Sequence, residues 1–138
     1  MSESLRSVQG LTTIASSHDP KETMDRLEIE ICAKGMTVFA RIDHAAGAAE
    51  VGLTLAPTEL IVFGNARGGT PLMQSVQTVG IDLPLKALVS QDAAGKTWLS
   101  YNEPSWIARR HSVANAEQVV SKMAAALSAM ARTAANPD

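Results

Sequence analysis

Two strand-like segments joined by three small residues narrow the fold of this chain more than any other feature. "LPLKALVSQD" (83–92) and "KTWLSYN" (96–102) flank "AAG", whose Gly95 tolerates a positive φ. A connection this short makes a hairpin, so the sheet holds at least one antiparallel pair. A doubly wound, all-parallel sheet is thereby excluded.

Upstream, strand and helix patterns alternate. "LTTIAS" (11–16) is β-prone, and residues 1–7 before it read as a loose terminus. "HDPKETMDRLEIEICAKG" (18–35) predicts a helix marked at both ends. Asp19 is its N-cap, Pro20 its first residue and Glu22 the capping-box partner, while Gly35 supplies the left-handed stop. Met24, Leu27 and Ile31 form its buried stripe, with Cys32 beside them as a small inert hydrophobe.

"TVFARID" (37–43) alternates as a strand with Val38, Ala40 and Ile42 on one face, and "HAAGAAEVG" (44–52) is a short helix or turn. "TELIVFGN" (58–65) has the continuous apolar centre of a strand buried on both faces or inside a core. Thr70 as N-cap and Pro71 as first helical residue then launch "TPLMQSVQTVG", which ends at Gly80. After the hairpin, "EPSWIARRH" makes one or two helical turns. "NAEQVVSKMAAALSAMARTAAN" follows as a long helix capped by Asn115 with Gln118, burying Val119, Val120, Met123, Leu127 and Met130. The expected fold is α+β, one domain over 1–138, with an antiparallel or mixed sheet and helices packed on one face.

Composition removes several functional classes. A chain of 138 residues with 46% apolar and 19% charged residues reads as an ordinary globule. A net charge of −2 and five scattered aromatic residues argue against nucleic acid as a partner. One cysteine permits no internal disulfide, and no apolar run reaches the roughly 18 residues of a membrane span. The polar "MSESLRSVQG" start shows no export signal, so a cytoplasmic location without membrane contact is the expectation.

Four ordered blocks then carry a resemblance: "RIDHAAGAAEVGL", "PTELIVFGNARGGTPLMQ", "IDLPLKALV" and "WLSYNEPSWIARRH". Together they resemble the bacterial and archaeal family called domain of unknown function 302, from about residue 10 to 112. The helix at 113–136 lies beyond the matched part. The resemblance implies a small α+β domain similar to TATA-box-binding-protein-like folds, in β-α-β-β-α-β-β-α order and often a homodimer. It implies no DNA binding and no reaction.

The chemistry concentrates at "FGNARGGTPLMQ" (63–74). There a sharp turn capping a helix competes with an anion cradle, in which backbone N–H groups at Gly68 and Gly69 meet the ligand and Arg67 adds charge. The Walker pattern is missing, because Thr70 stands where a lysine is needed. Asn65, Gly68, Gly69, Thr70, His44 and Tyr101 are the candidate ligand-binding residues, with Asn102 and Tyr101 at a strand end. His44 is the candidate general acid or base, because histidine is the side chain suited to carry protons near neutrality. Its plainer reading is packing at a strand end, with Asp43 capping the next helix. His18, His44 and His111 lie far apart in sequence, so no metal site and no particular cofactor is indicated. Trp98 and Trp106 read as core or interface anchors. Arg109, Arg110 and His111 read as a solvated helix face or half of a dimer contact.

Three functions follow as expectations. The first is a cytoplasmic homodimer binding a small polar or anionic ligand. The second is an enzyme using His44, assisted by Asn65 and Tyr101. The third is a structural or partner-binding dimer, with the small residues of the last helix permitting close approach.

Overall fold

Five antiparallel strands in the order β1-β5-β4-β3-β2 form the sheet of this protein, seen in a computed structural model that describes residues 8–137. The loose terminus expected at 1–7 lies outside the described residues. The strands are β1 (Leu11–Ser16), β2 (Thr37–Asp43), β3 (Thr58–Gly64), β4 (Leu85–Gln91) and β5 (Thr97–Asn102). The helices are α1 (Pro20–Ala33), α2 (His44–Glu50), α3 (Ala66–Ser75), α4 (Pro104–Arg110) and α5 (Glu117–Ala135), with a 3-10 segment over Gln77–Asp82. The α+β class and the expected element order hold, and the hairpin forms with Gly95 at φ +84°.

α1 shows how closely local chemistry dictates an element. Asp19 accepts the Glu22 N–H at 2.7 Å, and Pro20 opens the helix. At the far end the Met36 N–H bonds the Ile31 carbonyl and the Gly35 N–H bonds that of Cys32. That pair is a Schellman closure, and Gly35 takes φ +77° to make it. Met24, Leu27 and Ile31 are buried as the periodicity requires. Cys32 is exposed, contrary to expectation, because the buried stripe ends on the neighbouring turn position, Ile31.

α1 and α5 pack on one face of the sheet, over Ile61, Phe63, Leu85, Ala87, Val89, Leu99 and Tyr101. Each fully buried side chain of this size contributes roughly 1.5–3 kcal/mol. A second, smaller core joins Leu72 of α3, Val79 of the 3-10 segment, Ile107 of α4 and Ala116.

Three boundaries depart from the sequence pattern. In β2 the register shifts between Val38 and Ala40, leaving Phe39 as an inserted, 58% exposed residue. Val38 therefore packs toward the helix-side core, while Ala40 and Ile42 sit on the opposite face. Asn115 does not cap α5: it takes φ +57° in the preceding turn, and Ala116 occupies the cap position without a side-chain bond. α3 ends at Ser75 rather than Gly80, and the chain tightens into the 3-10 segment.

The last helix also uses its small residues inside the protein. Ala131, Ala134 and Ala135 are buried, and Arg26 of α1 donates to the Ala134 and Thr133 carbonyls at 3.1 and 3.0 Å. The other sheet face carries Ala40, Ile42, Leu60, Val62 and Leu88, none of them fully buried. β3 is thus covered fully on one face only, where Ile61 and Phe63 sit inside the core, and of the two expected placements it takes that one rather than burial on both faces.

Candidate functional site

The glycine-rich stretch is helix, not turn. Asn65 caps α3, its side chain accepting the Gly68 N–H at 2.7 Å, and the Gly69 N–H bonds the Asn65 carbonyl at 3.2 Å. Gly68 and Gly69 keep ordinary helical φ, so no left-handed turn exists here. Thr70 and Pro71 lie inside the helix instead of starting it. The physical reason is that an asparagine at a strand end caps as well as a threonine, and it comes five residues earlier. The backbone cradle therefore fails: the N–H donors it would need are spent within the helix.

A groove nevertheless opens beside this helix start. It has a volume of about 540 Å³ and runs between the first turns of α3, the start of β2 and α5. Met36, Phe39, Met73, Leu83, Leu85, Val119, Met123, Leu127 and Met130 make its walls. Asn65, Gly68, Gly69 and Thr70 line one side, so four of the six sequence-predicted ligand residues are brought together. Arg67 and Lys122 border it, both exposed and neither in an ion pair with the described acids. No Asp or Glu lines it. The groove is apolar in its body and cationic at its edge.

His44 and Tyr101 do not belong to it. The β2–β3 register sets Asp43 against Glu59 and Thr37 against Gly64. His44 thus follows the end of β2 near the start of β3, while Asn65 follows the end of β3. At about 3.3 Å per residue, the strand between them separates the two by roughly 20 Å. His44 is exposed at the start of α2, which Asp43 caps by accepting the Ala46 N–H at 2.9 Å. The packing reading of His44 fails with its exposure, and its approach to Asn65 fails with the register. Tyr101 is buried in the main core. Burial raises its pKa, the Glu103 charge adds to this, and hydrogen bonds with Thr12 and Ser128 oppose it.

A second hollow, of about 490 Å³, lies beneath α2 and contains Lys21, Arg41, Asp43 and Glu59. Its cations and Glu59 are already matched, and Asp43 is spent on capping α2. Arg41 donates to Glu59 at 2.9 and 2.8 Å, to Asp25 at 2.9 Å and to Glu28 at 2.9 Å. The Glu59 hydrogen bonds lead in holding the Arg41 pKa far above its ordinary value, against the cost of burial. Lys21 pairs with Asp25 at 2.8 Å.

Of the remaining candidates, Trp98 is buried with its indole N–H on Asp92 at 2.9 Å, and Trp106 flanks the second core. His111 is not on a solvated face. Its side chain is 10% exposed and lies between Asp82 and Thr78. Among the described residues, no group of three or more His, Cys, Asp or Glu side chains is placed to hold a metal ion. Nor is any described helix long and apolar enough to cross a membrane. Sequence reasoning missed Lys122, Met36 and the other methionines of the groove. Their spacing within each element shows only a buried stripe, not an opening between elements.

Fold and groove define a small α+β domain whose last helix walls an apolar cleft. The chain belongs to the family described as domain of unknown function DUF302, which it matches over residues 12–130. Its fold is that of the crystal structure of an uncharacterized conserved DUF302 protein from Bacillus stearothermophilus. The TM-score is 0.82 at 20% identity, covering 92% of this chain and 99% of that one. Two curated relatives are each 50% identical over 113 residues, 82% of this chain. They are the fluoride-specific ion channels FluC 1 of Brucella suis biovar 1 (strain 1330) and of Brucella abortus biovar 1 (strain 9-941). This chain spans under half of their length, 44% and 42%.

Proposed function

We propose that this domain binds a small anionic ligand with an apolar body, such as a medium-chain carboxylate, in the groove beside α3. The observation that carries the reading is the groove's lining: methionine and leucine walls, with Arg67 and Lys122 lining it and in no ion pair with the described acids. Its volume falls within the range of about 300–1,000 Å³ usual for small-molecule sites. Methionine walls adapt to flexible apolar chains, and a cation at the rim favours a charged head over a neutral one. The anion meets side-chain cations here rather than glycine N–H groups.

The test is displacement of the anionic dye 1-anilinonaphthalene-8-sulfonate. Decanoate is expected to displace it well and decanol poorly, and the R67A/K122A variant to lose that preference. Equal competition by acid and alcohol in the unaltered protein would remove the reading. A reaction at His44 is not favoured, because no groove wall contains it.

Self-association into a homodimer is supported by a separate observation. The sheet face bearing Ile42, Leu60, Val62 and Leu88, with Lys86 beside Val62, leaves these side chains part-exposed or exposed, and Val51, Leu53 and Leu55 are exposed nearby in sequence. Five strands about 4.8 Å apart and 20 Å long offer roughly 500 Å² of flat face. The exposed 51–55 segment brings that toward the roughly 800 Å² per partner of a standard interface. A cytoplasmic location remains part of this proposal. In the Brucella relatives, fluoride conduction is proposed to belong to the portion this chain does not match, with the matched part acting as a binding domain. Sedimentation of the unaltered protein should show a dimer that L60E splits. A monomer at tens of micromolar, an order-of-magnitude choice, would end that reading.

A further inference from the structure

A hydroxyl, an imidazole and a carboxylate form one hydrogen-bonded line where the 3-10 segment meets α4. Thr78 Oγ1 lies 3.0 Å from His111 Nδ1, and His111 Nε2 lies 2.6 Å from Asp82 Oδ2. Arg110 donates to both Asp82 oxygens, at 2.9 and 2.8 Å. Asp82 and His111 are 13% and 10% exposed, whereas Thr78 is open to solvent. None of these residues lines the groove, so the cluster stands apart from the ligand reading above.

The order of partners fixes the chemistry. An ionised carboxylate only accepts, so His111 must direct its Nε2 proton to Asp82. The neutral ring then presents a lone pair at Nδ1, and the Thr78 hydroxyl donates to it. A nucleophile, a base within reach and a third group orienting the base are the parts of an activated hydroxyl. An Asp82–His111–Arg110 bridge would suffice to tie the 3-10 segment to α4. It gives no reason for the line to continue to a hydroxyl at the surface. Ile81 adds an apolar shelf: residues three apart eclipse in a 3-10 turn, and Ile81, three after Thr78, is 72% exposed.

We propose that Thr78 is an acyl-accepting nucleophile for small carboxylic esters, with His111 as its general base and Asp82 and Arg110 as positioning residues. The Thr78 oxygen adds to the ester carbonyl carbon while its proton passes to His111 Nδ1. The tetrahedral adduct collapses, the carbon–oxygen bond to the alcohol breaks, and the departing oxygen takes that proton. Water then adds to the acyl-threonine, again giving a proton to His111. Collapse returns that proton to Thr78 and releases the carboxylic acid.

The probe is p-nitrophenyl acetate with the full chain, read by p-nitrophenolate release, intact mass and peptide mapping. One acetyl group is expected on Thr78, with T78S retaining the reaction and T78A losing the adduct. H111Q should slow acetylation by roughly 10²–10⁴-fold, the usual worth of a general base. T78A should still unfold cooperatively, with at most a small fall in melting temperature for the lost His111 bond, because the residue itself is exposed. Absence of acetyl at Thr78 in the unaltered protein overturns the proposal, as does acetylation confined to lysines. Should H111Q fail to fold, the Thr78 adduct in the unaltered chain and its loss in T78A decide alone. Acetylation of Thr78 at an undiminished rate in folded H111Q overturns the role of the histidine and, with it, the proposal.

Discussion

The two ends of β3 are built alike and turn to different uses. At one end Asp43 closes β2 and caps α2; at the other Asn65 closes β3 and caps α3. Each cap is a short polar side chain accepting one N–H three residues on, at 2.9 and 2.7 Å. Beside α2 the ionic side chains of the hollow, Lys21, Arg41 and Glu59, are tied into pairs with one another or with α1 acids. Beside α3 the walls are apolar, and Arg67 and Lys122 pair with none of the described acids. The difference comes from α5, which supplies Val119, Lys122, Met123, Ala126, Leu127 and Met130 to the groove and nothing to the hollow. A strand end becomes a site according to what packs beside it, not according to how it is capped.

The strongest way to break this contrast is to empty the core at the groove end. Phe63, fully buried beside Val38 and Leu85, should cost about 3–5 kcal/mol as F63A in urea unfolding. I42A, 43% exposed near the α2 end, should cost less than about 1 kcal/mol. Equal losses would mean that the two ends share one packing environment.

Acid gives the next effect. Burial tends to raise the Asp82 pKa, but the His111 hydrogen bond and the Arg110 charge outweigh it, and the net shift is downward. Asp25 is also lowered, by hydrogen bonds from Lys21 first and Arg41 second. Carboxylates with lowered folded-state values stabilise above the unfolded value of about 3.9 and lose that contribution as pH falls through the folded value. D82N should therefore flatten the acid limb of the stability curve, removing about 1–2 kcal/mol at neutral pH. D25N should do so less, because its carboxylate is 42% exposed and solvent screens it. The reverse ranking in thermal melts from pH 6 to pH 3, a range of about three units around that value, would contradict the assignment.

The caps sharpen the comparison at about 1 kcal/mol each. D43A and N65A should destabilise similarly, since both remove one capping bond. Only N65A should weaken dye binding, because only Asn65 lines the groove. The smallest effect is a gain. Gly69 is helical, and a Cβ there would meet Leu83 and Met73 at ordinary distances of 3.6 and 3.7 Å. G69A should raise stability by up to about 1 kcal/mol. A loss would mean that Gly69 needs a backbone geometry other than the helical one.

Elements whose signals lie within a few residues were legible in the sequence. Asp19-Pro20 and Gly35 bracket α1, Gly95 closes the hairpin, and the alternation with one hairpin favours α+β. Each rests on local backbone geometry or on a hydrogen bond a few positions long, which no distant contact needs to complete. Four of the groove residues were legible for the wrong reason: Asn65 to Thr70 drew notice as a turn and act as a capped helix. Local signals could not choose between two good caps, Asn65 and Thr70, because both residue types cap a helix well. The tertiary structure alone decided that His44 faces away, since strand pairing converts a short separation in sequence into the length of β3. It also brought Thr78 and Asp82 to His111 and set Lys122 and Arg67 on the lining of one groove. Those meetings depend on how α4 and α5 fold back on the chain, and a one-dimensional pattern carries no record of the distance between elements.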